Sequence, residues 1–132
     1  MREILFRGKS LRTGEWIQGY LFRCWERAYI AWGMVNDNAD MKEVDPETVC
    51  QYTGLTDKNG RKIFEGDIVS APFTGYAGKT RERKGIVEFV NGAFSVNWND
   101  SEEYGKNFAG YVNDIEVIGN IFDNPELIGD QP

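Results

Sequence analysis

Hydrophobic residues recur at every second position over short runs, and Gly, Asn and Asp punctuate those runs, so the chain reads as β-strands joined by tight turns. From Glu15 to Arg23, Trp16, Gln18, Tyr20 and Phe22 share one face and Ile17, Gly19 and Leu21 the other. That pattern predicts a strand with both faces at least partly covered. Gly19 within it marks a bulge or a close backbone approach. Arg12-Thr13-Gly14 reads as the turn from an earlier strand, Ile4 to Lys9, and Ala28 to Met34 is a third strand running into a polar loop, Asn36 to Asp40.

Further along, Asp45-Pro46-Glu47-Thr48 is a start signal for one helical turn, with Asp45 as N-cap and Pro46 where its missing N–H costs nothing. Val49 to Thr53 is the next strand, followed by the turn Asp57-Lys58-Asn59-Gly60 and a second break at Glu65-Gly66-Asp67. Ile68 to Ala71, Gly85 to Val90, Ala93 to Trp98 and Ile115 to Ile121 complete the strands, with Asn91-Gly92 as a hairpin turn and Asn124 as the N-cap of a last helical turn. The expected fold is mainly β: a short-stranded, barrel-like structure with an SH3-like C-terminal part and one or two short helical turns. Its parts are an N-terminal β lobe at about 1–48, a barrel region at about 62–121 and a capped turn at 124–128.

Composition then restricts the chemistry. With 132 residues the natural prior is one domain with a real core. The sequence has no histidine, which removes the commonest general base, the commonest metal ligand and the usual activator of a serine or cysteine nucleophile. A net charge of -6 argues against nonspecific coating of nucleic acid. The charge is unevenly spread: residues 85–132 set Lys106 against nine acids, whereas residues 68–84 carry four basic side chains and one acid. Cys24 and Cys50 are too few for a disulfide framework or an all-cysteine zinc site. No apolar run approaches a membrane span and no signal-peptide core follows Met1, so no membrane and a cytoplasmic location in a bacterial host cell are expected.

The stretch from Tyr52 to Val69 carries Tyr52-Thr53-Gly54-Leu55, then Asp57-Lys58-Asn59-Gly60, then Ile63-Phe64-Glu65-Gly66-Asp67-Ile68-Val69. These motifs resemble the signature of the YopX family of phage and prophage proteins. Phe6-Arg7-Gly8-Lys9 with Gly14-Glu15-Trp16, and Ile115 to Ile121 followed by Asn124-Pro125-Glu126-Leu127, resemble the same family in the same order. The middle, about Tyr76 to Tyr111, resembles it only in rhythm. The resemblance implies a mainly β, phage- or prophage-encoded protein and carries over no catalytic or ligand residue.

Read from the residues themselves, Gly54, Gly60 and Gly66 serve backbone geometry and Ile63, Phe64, Ile68 and Val69 serve the core. Glu65 and Asp67 could do acid and base work, but carboxylates flanking a glycine more often accept backbone N–H bonds to close a turn. The run Asn36 to Lys42 has partial calcium-loop spacing, yet Met41 stands where that loop needs glycine. No catalytic residue, cofactor or metal site is therefore expected. Two sets of binding candidates remain. Lys79, Arg81, Arg83 and Lys84, with Tyr76 nearby, form a basic loop able to reach nucleic-acid phosphates while Tyr76 stacks. Trp16, Tyr20, Trp25, Tyr29 and Trp32, with Phe22, put six large rings within residues 16–32, more than one face of a small sheet needs, so an exposed share would form a subunit or partner surface. The leading expectation is a non-enzymatic binding or assembly module that contacts itself and a host or phage protein, with nucleic-acid contact through the basic loop as the alternative.

Overall fold

A computed structural model describes residues 3–35, 38–74, 78, 80–98 and 114–129. The chain is mainly β and divides into two compact units, Met1–Gly54 and Leu55–Pro132.

In the first unit the strands are β1 (Phe6–Lys9), β2 (Trp16–Cys24), β3 (Arg27–Val35), β4 (Asn38–Val44) and β5 (Cys50–Thr56), whose end crosses into the second unit. They form an antiparallel sheet in the order β4-β3-β2-β1-β5. The ends of β1 and β4 also meet: Ser10 bridges Val44, Leu11 N donates to Glu43 O at 3.2 Å and Asp45 N donates to Lys9 O at 2.8 Å. The sheet therefore curls, and its concave side closes over Ala28, Ile30 and Val44, with Phe6, Ile17, Leu21 and Val49 packed against them. Each such aliphatic side chain taken fully from water contributes about 1.5–3 kcal/mol. The curl needs backbone to approach backbone at Gly19, where a Cβ would lie 2.3 Å from Ala31 O. The glycine thus marks a close approach, while the sheet's irregularity falls on β3, between Ala31 and Gly33.

After β4, a 3-10 turn at Pro46–Thr48 forms as its sequence predicts, Asp45 Oδ1 accepting from Glu47 N at 3.0 Å. Thr48 Oγ1 accepts from Lys9 N at 2.9 Å and so pins the turn to β1. The expected polar loop from Asn36 to Asp40 is shorter than its composition suggests. Val35 opposes Asn38, so Asn38 to Asp40 already belong to β4, where pairing to β3 overrides their weak strand preference. Residues 36 and 37 lie outside the described residues.

In the second unit, the end of β5 turns at Asp57 into β6 (Lys62–Phe64), followed by β7 (Asp67–Thr74), β8 (Thr80–Val90), β9 (Ala93–Trp98) and β10 (Glu116–Asn120). The last four form an antiparallel sheet in the order β10-β7-β8-β9. Asn91 and Gly92, at φ +52° and +81°, make the left-handed hairpin turn that Asn-Gly favours. Ile63, Val69, Ala71, Val87, Trp98, Ile115 and Val117 are the core, with Leu55 and Val96 against it. Among the described residues this sheet is open, β9 and β10 being its edges, and no ladder between them closes the barrel that the strand rhythm suggests.

Two local expectations are corrected here. Residues 80–84, read as a loop, are the first half of β8, paired from Thr80 opposite Thr74 to Lys84 opposite Ser70. Their charges mislead because backbone pairing to β7 overrides composition: Arg81, Glu82 and Arg83 stand opposite Phe73, Pro72 and Ala71, and Glu82 accepts from Ser70 Oγ at 2.6 Å. Asn124 precedes the 3-10 turn Pro125–Leu127 but makes no cap bond. Its Oδ1 accepts from Asn120 N at 3.2 Å, while Asn120 Oδ1 accepts from Phe122 N and Asp123 N at 3.0 and 2.9 Å. Asn120 is the organiser of that corner.

Candidate functional site

Strand register decides which aromatic side chains of the first unit reach solvent. Tyr20 opposes Ala31, which opposes Met41; Phe22 opposes Tyr29, which opposes Glu43; Cys24 opposes Arg27. Directly opposed residues point to the same side of a sheet. Since Ile17, Leu21, Ala28 and Ile30 occupy the alternate positions and fill the concave side, these rows lie on the convex side. Tyr20 is 65% exposed, Phe22 52% and Met41 41%. Phe22 and Tyr29 rest against each other, ring centres 6.1 Å apart. One ion pair edges the face, Arg27 Nε to Glu43 Oε2 at 3.9 Å. A hydrogen bond that Arg27 donates to the Tyr29 oxygen, the larger influence, and the charge of Glu43 hold the Arg27 guanidinium above its ordinary pKa.

Beyond the last row, the β2–β3 turn carries Trp25, 91% exposed and at φ +54°. That is a left-handed conformation that a bulky side chain rarely adopts. The expectation that β2 has both faces covered therefore fails on one side: from Tyr20 to Cys24, the side opposite Leu21 faces water.

The other aromatic candidates are placed differently: Tyr29 sits within these rows but is partly covered, and Trp16, which alternates with Ile17 and opposes Lys9, lies on the same side nearer the start of β2. Trp16 is half-buried beneath two cations, with the Arg7 guanidinium 4.6 Å and Lys9 Nζ 5.4 Å from its ring centre. Trp32 stands at the β3 irregularity, 5.8 Å from Lys42 Nζ. Tyr29 is half-buried between Phe22 and Glu43. Met41 belongs to the open face but escapes a reading of the sequence, because it lies just after a stretch that looks like a polar loop. Only the pairing to Ala31 places it.

The basic candidates are not gathered into one surface by the described residues. Arg83 is 3% exposed, with its guanidinium 4.3 Å over the Trp98 ring, so it is a core cation stacked on an aromatic. Lys84 is half-buried. Arg81 is placed only through its backbone, opposite Phe73, and Tyr76 and Lys79 lie outside the described residues.

The two conspicuous aspartates of the signature segment are built into backbone. Asp67 Oδ2 accepts from Phe64 N at 2.8 Å and closes the turn around Gly66. Asp57, 6% exposed, accepts from Asn59 N and Arg61 N on Oδ1 and from Val117 N on Oδ2, each at 2.9 Å. Burial pushes the Asp57 carboxyl up, but the three backbone donors and the charge of Arg61 outweigh it and hold the group below the ordinary carboxylate range. That is the signature of a structural acceptor, since a general acid would need the opposite shift. A shallow pocket of about 340 Å³ is lined by Ser10, Leu11, Arg12, Lys42 and Glu43, and the one carboxylate in it is the partner of Arg27. Among the described residues no three Cys, Asp or Glu side chains converge where a metal ion could sit.

A family model described as YopX protein matches residues 5–129. The chain belongs to the YopX family. A crystal structure of protein EF1440 from Enterococcus faecalis shares the fold, with a TM-score of 0.60 and 22% identity over 97% of this chain and 99% of that one. No curated protein matches the chain at a significant level. Within the segment that resembles the YopX signature, Asp57 and Asp67 close turns, Ile63 and Val69 belong to the second unit's core, and Phe64 and Ile68 are buried. The solvent-facing aromatic surface lies outside that segment, in the first unit.

Proposed function

We propose that this YopX protein acts by binding rather than by chemistry, as a phage- or prophage-encoded assembly module that works inside a bacterial cell and contacts other proteins through the convex face of its first unit. The observation that carries the reading is the exposure of Tyr20, Phe22 and Met41 on the convex side, with Trp25 exposed in the β2–β3 turn. Monomeric proteins seldom leave a contiguous apolar patch beyond a few hundred Å² without a use for it. Aromatics, Met and Arg are also the residues enriched at protein interfaces. The absence of histidine and the engagement of Asp57 and Asp67 with backbone donors support a binding role over catalysis. Nucleic-acid contact through Lys79, Arg81, Arg83, Lys84 and Tyr76 has less support, because Arg83 is stacked on Trp98 in the core.

The test is a pull-down from lysogenic cells with the intact protein and with Tyr20→Arg/Phe22→Glu. Protein partners retained by the former and lost by the latter are the expected result. An identical set on both, or material released by nuclease and by raising salt from about 50 to 200 mM, would overturn it.

A further inference from the structure

We infer that Asn91 is a site of spontaneous covalent modification, at which the side-chain amide is lost through a cyclic imide and the residue becomes isoaspartate. The change needs no enzyme and goes beyond the binding reading above, whose surface belongs to the first unit. The chain has two Asn-Gly pairs, Asn59-Gly60 and Asn91-Gly92. Both are susceptible by composition, because glycine has no side chain to hinder attack by its own nitrogen. Both are exposed, so access to water does not separate them. Hydrogen bonding does.

In the reaction the glycine backbone nitrogen gives up its proton to hydroxide and attacks Cγ of the asparagine. An N–Cγ bond forms, the bond from Cγ to the amide nitrogen breaks, and ammonia leaves with a proton taken from water. Water then opens the five-membered ring. Attack at Cγ yields aspartate, and attack at the backbone carbonyl yields isoaspartate, whose main chain runs through Cβ and Cγ. One water enters and one ammonia departs, with no oxidant or reductant. The attacking nitrogen must therefore be free to lose its proton, and its peptide free to swing towards Cγ.

At Asn59 neither condition is met. Gly60 N donates to Asp57 O at 2.9 Å and Asn59 N to Asp57 Oδ1 at 2.9 Å. Every other N–H from Asp57 to Arg61 is also bonded, Lys58 N reaching Ile115 O at 3.0 Å and so fastening the turn to a core residue. At Asn91 the pair is the tip of the β8–β9 hairpin, where Val90 opposes Ala93. Among the described residues no acceptor takes the Gly92 N–H, and the Asn91 side chain makes no hydrogen bond. Only the last rung of the ladder has to loosen, and hairpin tips open at little cost. The product adds one carbon to the backbone of a two-residue turn and one negative charge to the tip, which disturbs the register set by Val90 and Ala93.

The test is to hold the folded full chain in mildly alkaline buffer at physiological temperature and to follow both pairs by peptide mapping and mass spectrometry, with an isoaspartyl methyltransferase to separate isoaspartate from aspartate. A parallel sample is kept unfolded in guanidinium chloride. In the folded protein Asn91 should convert at least about 30-fold faster than Asn59, equivalent to about 2 kcal/mol of local opening at the Asp57 turn. In denaturant the two rates should become comparable, because the protecting bonds are gone. Asn91→Gly, which φ +52° accommodates, removes the reacting carbon and should abolish the fast product. Similar rates at the two pairs in the folded protein, or an Asn91 that converts only in denaturant, would overturn the inference. A fast product that survives Asn91→Gly would overturn it as well, by placing the chemistry elsewhere.

Discussion

Replacing Asp57 by asparagine keeps the number of heavy atoms in the side chain, yet it should be among the most damaging single substitutions in the second unit. The carboxylate accepts three backbone N–H bonds, two on Oδ1 and one on Oδ2. An amide has one acceptor oxygen. If that oxygen keeps Asn59 and Arg61, the NH2 group faces the buried Val117 N–H, donor against donor. An unsatisfied buried donor costs about 1–3 kcal/mol, and each of the two surviving bonds loses about 1 kcal/mol in becoming neutral. The expected loss is therefore about 3–5 kcal/mol at neutral pH, and Asp57→Ala, which removes every acceptor, should be no milder. For a unit of this size that is a fall in melting temperature of at least about 12 °C. Urea unfolding followed by circular dichroism measures it. The pH dependence supplies an independent check. Because folding lowers the pKa of Asp57, its stabilisation is complete above the unfolded-state value near 3.8 and is lost as pH falls through the folded-state value. The deficit of Asp57→Asn should thus narrow on acidification, by at most about 1.4 kcal/mol per pH unit from this one group. A variant within about 0.5 kcal/mol of the natural protein at pH 7, or a deficit constant down to pH 3, would refute the assignment of Asp57 as the acceptor that ties β10 to the β5–β6 turn.

Gly19→Ala should destabilise the first unit by about 2–4 kcal/mol, because the atom it would strike is the Ala31 carbonyl, which is backbone and cannot rotate away; a thermal melt unchanged within error would show that the sheet can flatten there. Arg83→Ala should cost about 1–3 kcal/mol through loss of the stack on Trp98, whereas Lys84→Ala should stay within about 0.5 kcal/mol. Equal effects of the two in urea titrations would mean that Arg83 is not the core cation described.

The sequence determined what is local. Asn91-Gly92 made its hairpin because both residues tolerate positive φ, Asp45-Pro46 made its capped turn, and the apolar residues of the signature segment went to the core. Period-two alternation correctly divided β2 into two faces. It could not say which face would be covered, since that depends on how far the sheet curls, and the curl is set by the bridge between Ser10 and Val44, thirty-four residues apart in sequence. The same limit explains the basic segment. Thr80 to Lys84 has the composition of a solvated loop, but a ladder to β7 makes it strand, and Trp98 makes Arg83 a core residue. Asp57 is the clearest case. Its place in an Asp-Lys-Asn-Gly turn was legible, but its third bond, to Val117, joins residues sixty positions apart. Local hydrogen bonds and backbone angles are written in neighbouring residues. Burial and long-range pairing are properties of the assembled sheet, and only the tertiary structure decided them.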